Sequence, residues 1–134
     1  MVCMYKYITL IGILIFLTGC NTTPQHITPF PVISDQSKAA QITVIRSDLF
    51  YDSDIILVFT IDGKRIYTFK SAEKIEFQLD PGEYIFGVGD ALTDYGGYQL
   101  KEIQVEVQPL DKHIYRIFTT SHVDGDVMIQ KVNE

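Results

Sequence analysis

From Lys74 to Asp80, and again from Glu102 to Val107, every second residue is apolar. Ile75, Phe77 and Leu79 alternate with Glu76, Gln78 and Asp80, and Ile103, Val105 and Val107 alternate with Glu102, Gln104 and Glu106. A strand sends successive side chains to opposite faces, so this spacing gathers all the apolar groups on one side; a helix would scatter them around its circumference. One face must then meet a core and the other water, which is the habit of antiparallel sheets.

The same period runs through most of the chain after Gln41. It predicts strands at 41–46, 55–62, 65–70, 74–79, 83–89, 99–108, 113–120 and 126–132. Ile55 to Phe59 is apolar without interruption, which predicts a strand covered on both faces near the centre of the domain. Asp62-Gly63 between two strand patterns is a hairpin signal, because a type I′ turn needs positive φ at both central positions. In Asp80-Pro81-Gly82, proline pre-sets φ and glycine is free to take a positive value. Roughly eight strands in fewer than 100 residues is the density of a single antiparallel β-sandwich, an all-β fold of seven or eight strands.

The first residues do not share this grammar. Lys6 is the only charge before Ile8–Leu17, which reads ITLIGILIFL. Ten residues, broken only by Thr9 and Gly12, are too few for the roughly 20 of a membrane-crossing helix, but they have the length of a secretory h-region behind a basic start. Leu17-Thr18-Gly19-Cys20 follows. It resembles the lipobox of bacterial lipoproteins. That resemblance implies cleavage before Cys20, a diacylglyceryl group on its thiol, and often a third acyl chain on the new amino terminus. Asn21, in place of Asp, is similar to the enterobacterial pattern sorted to the outer membrane. The expected organisation is a signal peptide over 1–19, the lipidated Cys20 with a flexible, proline-bearing linker over 20–40, and the β-sandwich over 41–134.

Removing 19 residues takes away one lysine and no acid, leaving 115 residues at a net charge of −7. An acidic chain with no basic block is a poor match for phosphate, so nucleic acid is excluded as a partner. Cys3 would leave with the signal, so the mature chain would have no free thiol for redox chemistry.

Beyond the lipobox, the segments Ala40–Arg46 (AQITVIR), Phe59–Lys64 (FTIDGK), Leu79–Tyr84 (LDPGEY) and His113–Ile117 (HIYRI) resemble a family of small bacterial lipoprotein domains of unknown function. The likeness covers residues 40 to about 117. The chain is also similar to immunoglobulin- or transthyretin-like lipoprotein folds, including the outer-membrane lipoprotein of type VI secretion machines. These resemblances imply a β-sandwich in the cell envelope, and no catalytic residue carries over from them.

Three constellations are candidates for function. Tyr95, Gly96, Gly97 and Tyr98 lie between two strand patterns, and tyrosine offers a large contact area at low entropic cost. Phe50 and Tyr51 would join them if both loops share an end of the sandwich. His122, Asp124 and Asp126 place an imidazole and two carboxylates around a turn, which could supply part of a calcium site, although a hairpin turn favours Asp-Gly for backbone reasons alone. Arg46 and Arg116 fall where alternation would bury or half-bury them, so each is expected to make a structural ion pair. There is no G-x-S-x-G, the mature cysteine would be spent on lipid, and His113 starts a strand pattern while His122 ends one, which leaves a pair such as Ser121 with a distant partner as the weakest-supported route to nucleophilic catalysis. The expectation is therefore a non-enzymatic lipoprotein, anchored through Cys20 on the periplasmic face of the outer membrane. It would bind or assemble with an envelope or secretion-complex protein and need no cofactor. A sandwich loop binding calcium or a glycan is the alternative, and an envelope hydrolase a weaker one.

Overall fold

The computed structural model of the 134-residue chain describes residues 27–47, 56–90, 100–120 and 127–133. They form eight strands: β1 Ala40–Arg46, β2 Leu57–Ile61, β3 Lys64–Phe69, β4 Lys74–Leu79, β5 Gly82–Asp90, β6 Lys101–Val107, β7 Lys112–Thr119 and β8 Val127–Val132. One sheet has the order β4-β1-β7-β8 and the other β3-β2-β5-β6. The all-β sandwich expected from the alternation is therefore what forms, with strand positions within about two residues of those read from the sequence.

One pairing departs from an antiparallel scheme. β1 and β7 run parallel, with Ile42 opposite His113 and Val44 opposite Tyr115, while the other pairings are antiparallel. Periodicity reports which face a residue takes and carries no strand direction, so this neighbour relation was not legible locally. The order also differs from the immunoglobulin arrangement, in which the first, second, fourth and fifth strands share a sheet.

The inner faces meet in an aromatic centre. Phe59 lies edge-on to Phe86 at 5.3 Å and to Phe69 at 6.5 Å, and Phe86 lies edge-on to Tyr115 at 5.1 Å. Aliphatic residues surround them, among them Ile42, Val44, Leu57, Leu79, Val88 and Ile117, all buried. β2 is buried at every position and sits inside its sheet, as its unbroken apolar run predicts. Asp62 and Gly63 take φ of 50° and 77°, the mirror-image turn expected of Asp-Gly.

The connections sort to two ends. At one, the hairpin at Asp62-Gly63 joins the paired strands β2 and β3, and the short turns Asp80-Pro81 and Gln108–Asp111 cross from one sheet to the other. The opposite end holds the last residues of β1, β3, β5 and β7 and the first of β2, β4, β6 and β8, as the registers Leu57↔Asp90, Val88↔Lys101, Arg46↔Ile117 and Thr119↔Val127 require.

Candidate functional site

The candidate lipidation, binding and metal residues lie outside the described residues: Cys20, Phe50, Tyr51, Tyr95, Gly96, Gly97, Tyr98, His122, Asp124 and Asp126. What the structure does place is the scaffold around them. The strand ends flanking 48–55, 91–99 and 121–126 all fall at the same end of the sandwich. The condition under which Phe50-Tyr51 and Tyr95–Tyr98 could serve one surface, origin at a common end, is thus met by the strands that bracket them.

Arg46 shows how that end is tied together. It is 1% exposed, and its Nη1 donates to the Phe69 carbonyl at 2.7 Å. Arg46 belongs to one sheet and Phe69 to the other, so the guanidinium bridges the layers where β1 and β3 finish. Its backbone N–H donates to the Glu73 carbonyl at 2.9 Å. Arg116 does not follow the expectation. It points to the outer face opposite Gln130 and is exposed, because Tyr115 and Ile117 take the inward positions on β7.

At the other end, the segment 27–39 is not a free linker. Ile27 N–H donates to the Ile66 carbonyl at 3.0 Å, and the Phe30 ring stacks on Phe77 with centroids 4.6 Å apart and planes 8° apart. Ser34 then donates to the Asp80 carboxylate from both its N–H, at 2.9 Å, and its hydroxyl, at 2.8 Å. These residues form a strap over the gap between the edge strands β3 and β4. The apolar edges of Ile66 and Phe77 supply the reason: a sandwich left open on that flank would show its core to water. The linker expected over 20–40 is accordingly docked on the domain from Ile27 onward.

The Asp80–Tyr84 motif is the anchor of this strap. Tyr84 Oη donates to the Asp80 carbonyl at 2.7 Å, closing the corner between β4 and β5, while the Asp80 carboxylate faces Ser34. Those bonds, first from the Ser34 N–H and then from its hydroxyl, hold the Asp80 carboxyl below its ordinary value. Burial, reinforced by the charges of Asp80 and Asp62, raises the Tyr84 phenol.

A third arrangement had no sequence signal beyond spacing. Asp111, the residue before β7, and His113 and Tyr115 within it are spaced two apart, which brings the three side chains together. His113 Nε2 lies 3.1 Å from Asp111 Oδ2, and its Nδ1 lies 3.1 Å from Tyr115 Oη. With Nε2–H given to the carboxylate, Nδ1 accepts from the phenol, and both ring nitrogens are engaged. Burial, and secondly the Asp111 charge, push the Tyr115 phenol up to about 12.

Two clefts open beside the Asp62 hairpin. One, of about 450 Å³, is lined by Asp62, Glu83, Ile85, Gln104 and Glu106. The other, of about 460 Å³, lies between the strap at Thr28–Val32 and Ile61, Lys64 and Tyr84. Glu83 stands directly opposite Glu106 across the β5–β6 pair, a like-charge neighbourhood that repels anions. Among the described residues, no three His, Cys, Asp or Glu side chains are placed to hold a metal ion.

No family model and no curated protein matches the chain. Among solved structures it is similar to the NMR structure of a protein from Eubacterium rectale. That likeness covers 73% of this chain and 94% of the other at 17% identity, with a TM-score of 0.39.

Proposed function

We propose that this chain is a lipid-anchored lipoprotein of the bacterial cell envelope, held in the outer membrane through acyl chains on Cys20. It serves as a non-catalytic module that binds or assembles with an envelope protein. The observation that carries the reading is the polarity of the sandwich. The strap and the tight turns occupy one end, and the strand ends flanking Phe50-Tyr51 and Tyr95–Tyr98 occupy the other. A module of this kind needs a rigid scaffold, an anchored end and loops presented away from the anchor. The buried histidine fits the same reading, because His113 is committed to Asp111 and Tyr115 in the interior and is not presented to a substrate.

Two experiments test it. Labelled palmitate should enter the wild-type protein, and Cys20→Ala should abolish both the label and membrane partition. A mutant that still matures to the same size and stays with the membrane overturns the anchor. Photocrosslinkers at Tyr51 and Tyr98 should each trap the same envelope protein at native expression, and one at Glu76 should not. Recovery of uncrosslinked monomer alone from both loop positions removes the binding role.

A further inference from the structure

We infer that the tight-turn end of the sandwich docks on a zwitterionic lipid surface, with Val32 and Leu110 inserted among the headgroups. The inference rests on the proposed lipidation of Cys20 and goes beyond it by assigning which face of the domain meets the membrane.

The first argument is reach. Were 20–40 a free leash, about twenty residues could hold the domain some 70 Å from the bilayer. The strap removes most of that length, because the chain is bonded to β3 from Ile27. Seven peptide steps separate Cys20 from Ile27. Whatever their path, they span at most about 25 Å, roughly the length of a seven-residue strand. A domain of this size on so short a leash meets the lipid surface constantly, and its surface chemistry decides which side rests there.

The second argument is what that end displays. Val32 is 90% exposed and Leu110 67%, the two highest values among the large apolar side chains of the described residues. Val32 belongs to the strap, two residues before Ser34, whose N–H donates to the Asp80 carboxylate. Leu110 occupies the turn Gln108–Asp111 and is tied to the strap through its N–H to the Lys38 carbonyl at 3.2 Å. Ile27 and Ile85 are also exposed, with their N–H groups bonded to the Ile66 carbonyl and the Asp62 carboxylate near this end, while Leu100, as exposed as Ile27, stands just before β6 at the other.

Leu110 sits there at a cost. It follows Pro109 in a turn closed by Asp111 N–H to the Gln108 carbonyl, and takes φ of 64°. That is the position of a type II turn that glycine or asparagine ordinarily fills. A leucine there strains the backbone and gains no burial within the domain. The burial available to it is outside the fold.

The charge selects the lipid. Asp62, Glu83 and Glu106 crowd the neighbouring cleft, Asp35, Asp80 and Asp111 stand at the same end, and Lys38, Lys64 and Lys112 offset only part of that charge in a mature chain that carries −7. An anionic leaflet would repel this end, whereas a phosphatidylethanolamine or phosphatidylcholine surface would accept the apolar residues without that penalty. Docking this way also turns the opposite end, where residues 48–55, 91–99 and 121–126 are bracketed, away from the lipid.

The test uses the mature, lipidated protein, in which a capped Cys20 leaves an introduced cysteine as the sole reactive thiol. An environment-sensitive fluorophore is attached singly at Val32→Cys, Leu110→Cys and, at the far end, Lys70→Cys; all three positions are exposed, so the labels leave the core intact. In vesicles of phosphatidylcholine and phosphatidylethanolamine carrying doxyl lipids, labels at 32 and 110 should be quenched at least twofold and the label at 70 should stay water-like. Replacing a third of the lipid with phosphatidylglycerol at low salt should reduce the quenching at 32 and 110. Three water-like labels on protein that floats with the vesicles overturn the docking and leave the anchor standing. Quenching at 70 alone reverses the orientation and overturns it equally. Protein that does not float removes the anchor, and the docking with it.

Discussion

Replacing Tyr115 with Phe isolates one oxygen atom. The ring is 2% exposed and packs edge-on against Phe86 at 5.1 Å, so its apolar contacts survive the change. What disappears is the phenolic proton given to His113 Nδ1 at 3.1 Å. Nδ1 is then left without a partner inside the sandwich, because Nε2 is turned to Asp111. Stranding a buried polar atom costs about 1–3 kcal/mol. For a domain of roughly 95 residues that is a fall in Tm of about 4–8 °C per kcal/mol, measured by urea or thermal unfolding at pH 7.

The same oxygen fixes a second observable, the pH profile. Burial and the Asp111 charge raise the folded-state pKa of Tyr115 from 10 to about 12. A phenol that resists ionisation in the native state stabilises the fold fully below pH 10, where it is neutral in both states. Above pH 10 the unfolded chain gives up its proton first, and stability is lost as pH rises through about 12. Two pH units correspond to a loss on the order of 2–3 kcal/mol. Tyr115→Phe cannot lose it. The gap between wild type and variant should therefore be largest below pH 10 and close between pH 10 and 12, even though Tyr67 and Tyr84, whose pKa values are also raised, titrate in both proteins. Equal stability at pH 7 together with parallel curves to pH 12 would refute the hydrogen-bond chain.

Phe30→Ala removes the stacked ring that seats the strap, and should cost about 1–2 kcal/mol, less than a fully buried phenylalanine because Phe30 is half-exposed. Limited proteolysis should then cut within 27–39 while the rest of the domain stays resistant. Asp80→Asn should loosen the same segment by weakening the acceptor for both Ser34 donors, and in the wild type the contact should be present above the ordinary carboxyl pKa and lost as pH falls below it, seen as faster amide exchange at Ser34. Gly87→Ala should destabilise by about 1–3 kcal/mol because the added methyl overlaps the Thr60 hydroxyl, and Thr60→Ala in the same chain should recover part of the loss. Thr60→Val alone should be neutral or stabilising in urea unfolding, since the Thr60 hydroxyl is buried and has no hydrogen-bond partner among the described residues.

The strands were legible because their causes are local. Ile75, Phe77 and Leu79 sort themselves from Glu76 and Gln78 by pleat alone, and Asp62-Gly63 closes a hairpin with φ values few other residues tolerate. The parallel β1–β7 pair was not, because nothing in AQITVIR names its neighbour. The strap was hidden for a related reason. Residues 27–34 carry prolines and no period, the composition of a linker, yet one ring and one serine suffice to dock them when Phe77 and Asp80 wait at the right spacing. Arg116 was misplaced by reading two arginines alike, although Arg46 falls on the inward phase of its strand and Arg116 on the outward phase.

Three of the segments singled out in the sequence acquire a physical meaning in the fold. The arginine closing AQITVIR clamps the two layers, the glycine of FTIDGK turns a hairpin, and the tyrosine of LDPGEY bonds back to Asp80, whose carboxylate holds the strap. Each is explained by holding the sandwich together, and none presents a reactive group to solvent. A pattern built from such residues specifies a scaffold and leaves binding to the segments between its strands. The proposed binding role falls to Phe50, Tyr51 and the Tyr95–Tyr98 segment, and the strands on either side of them end together where Arg46 bridges the layers.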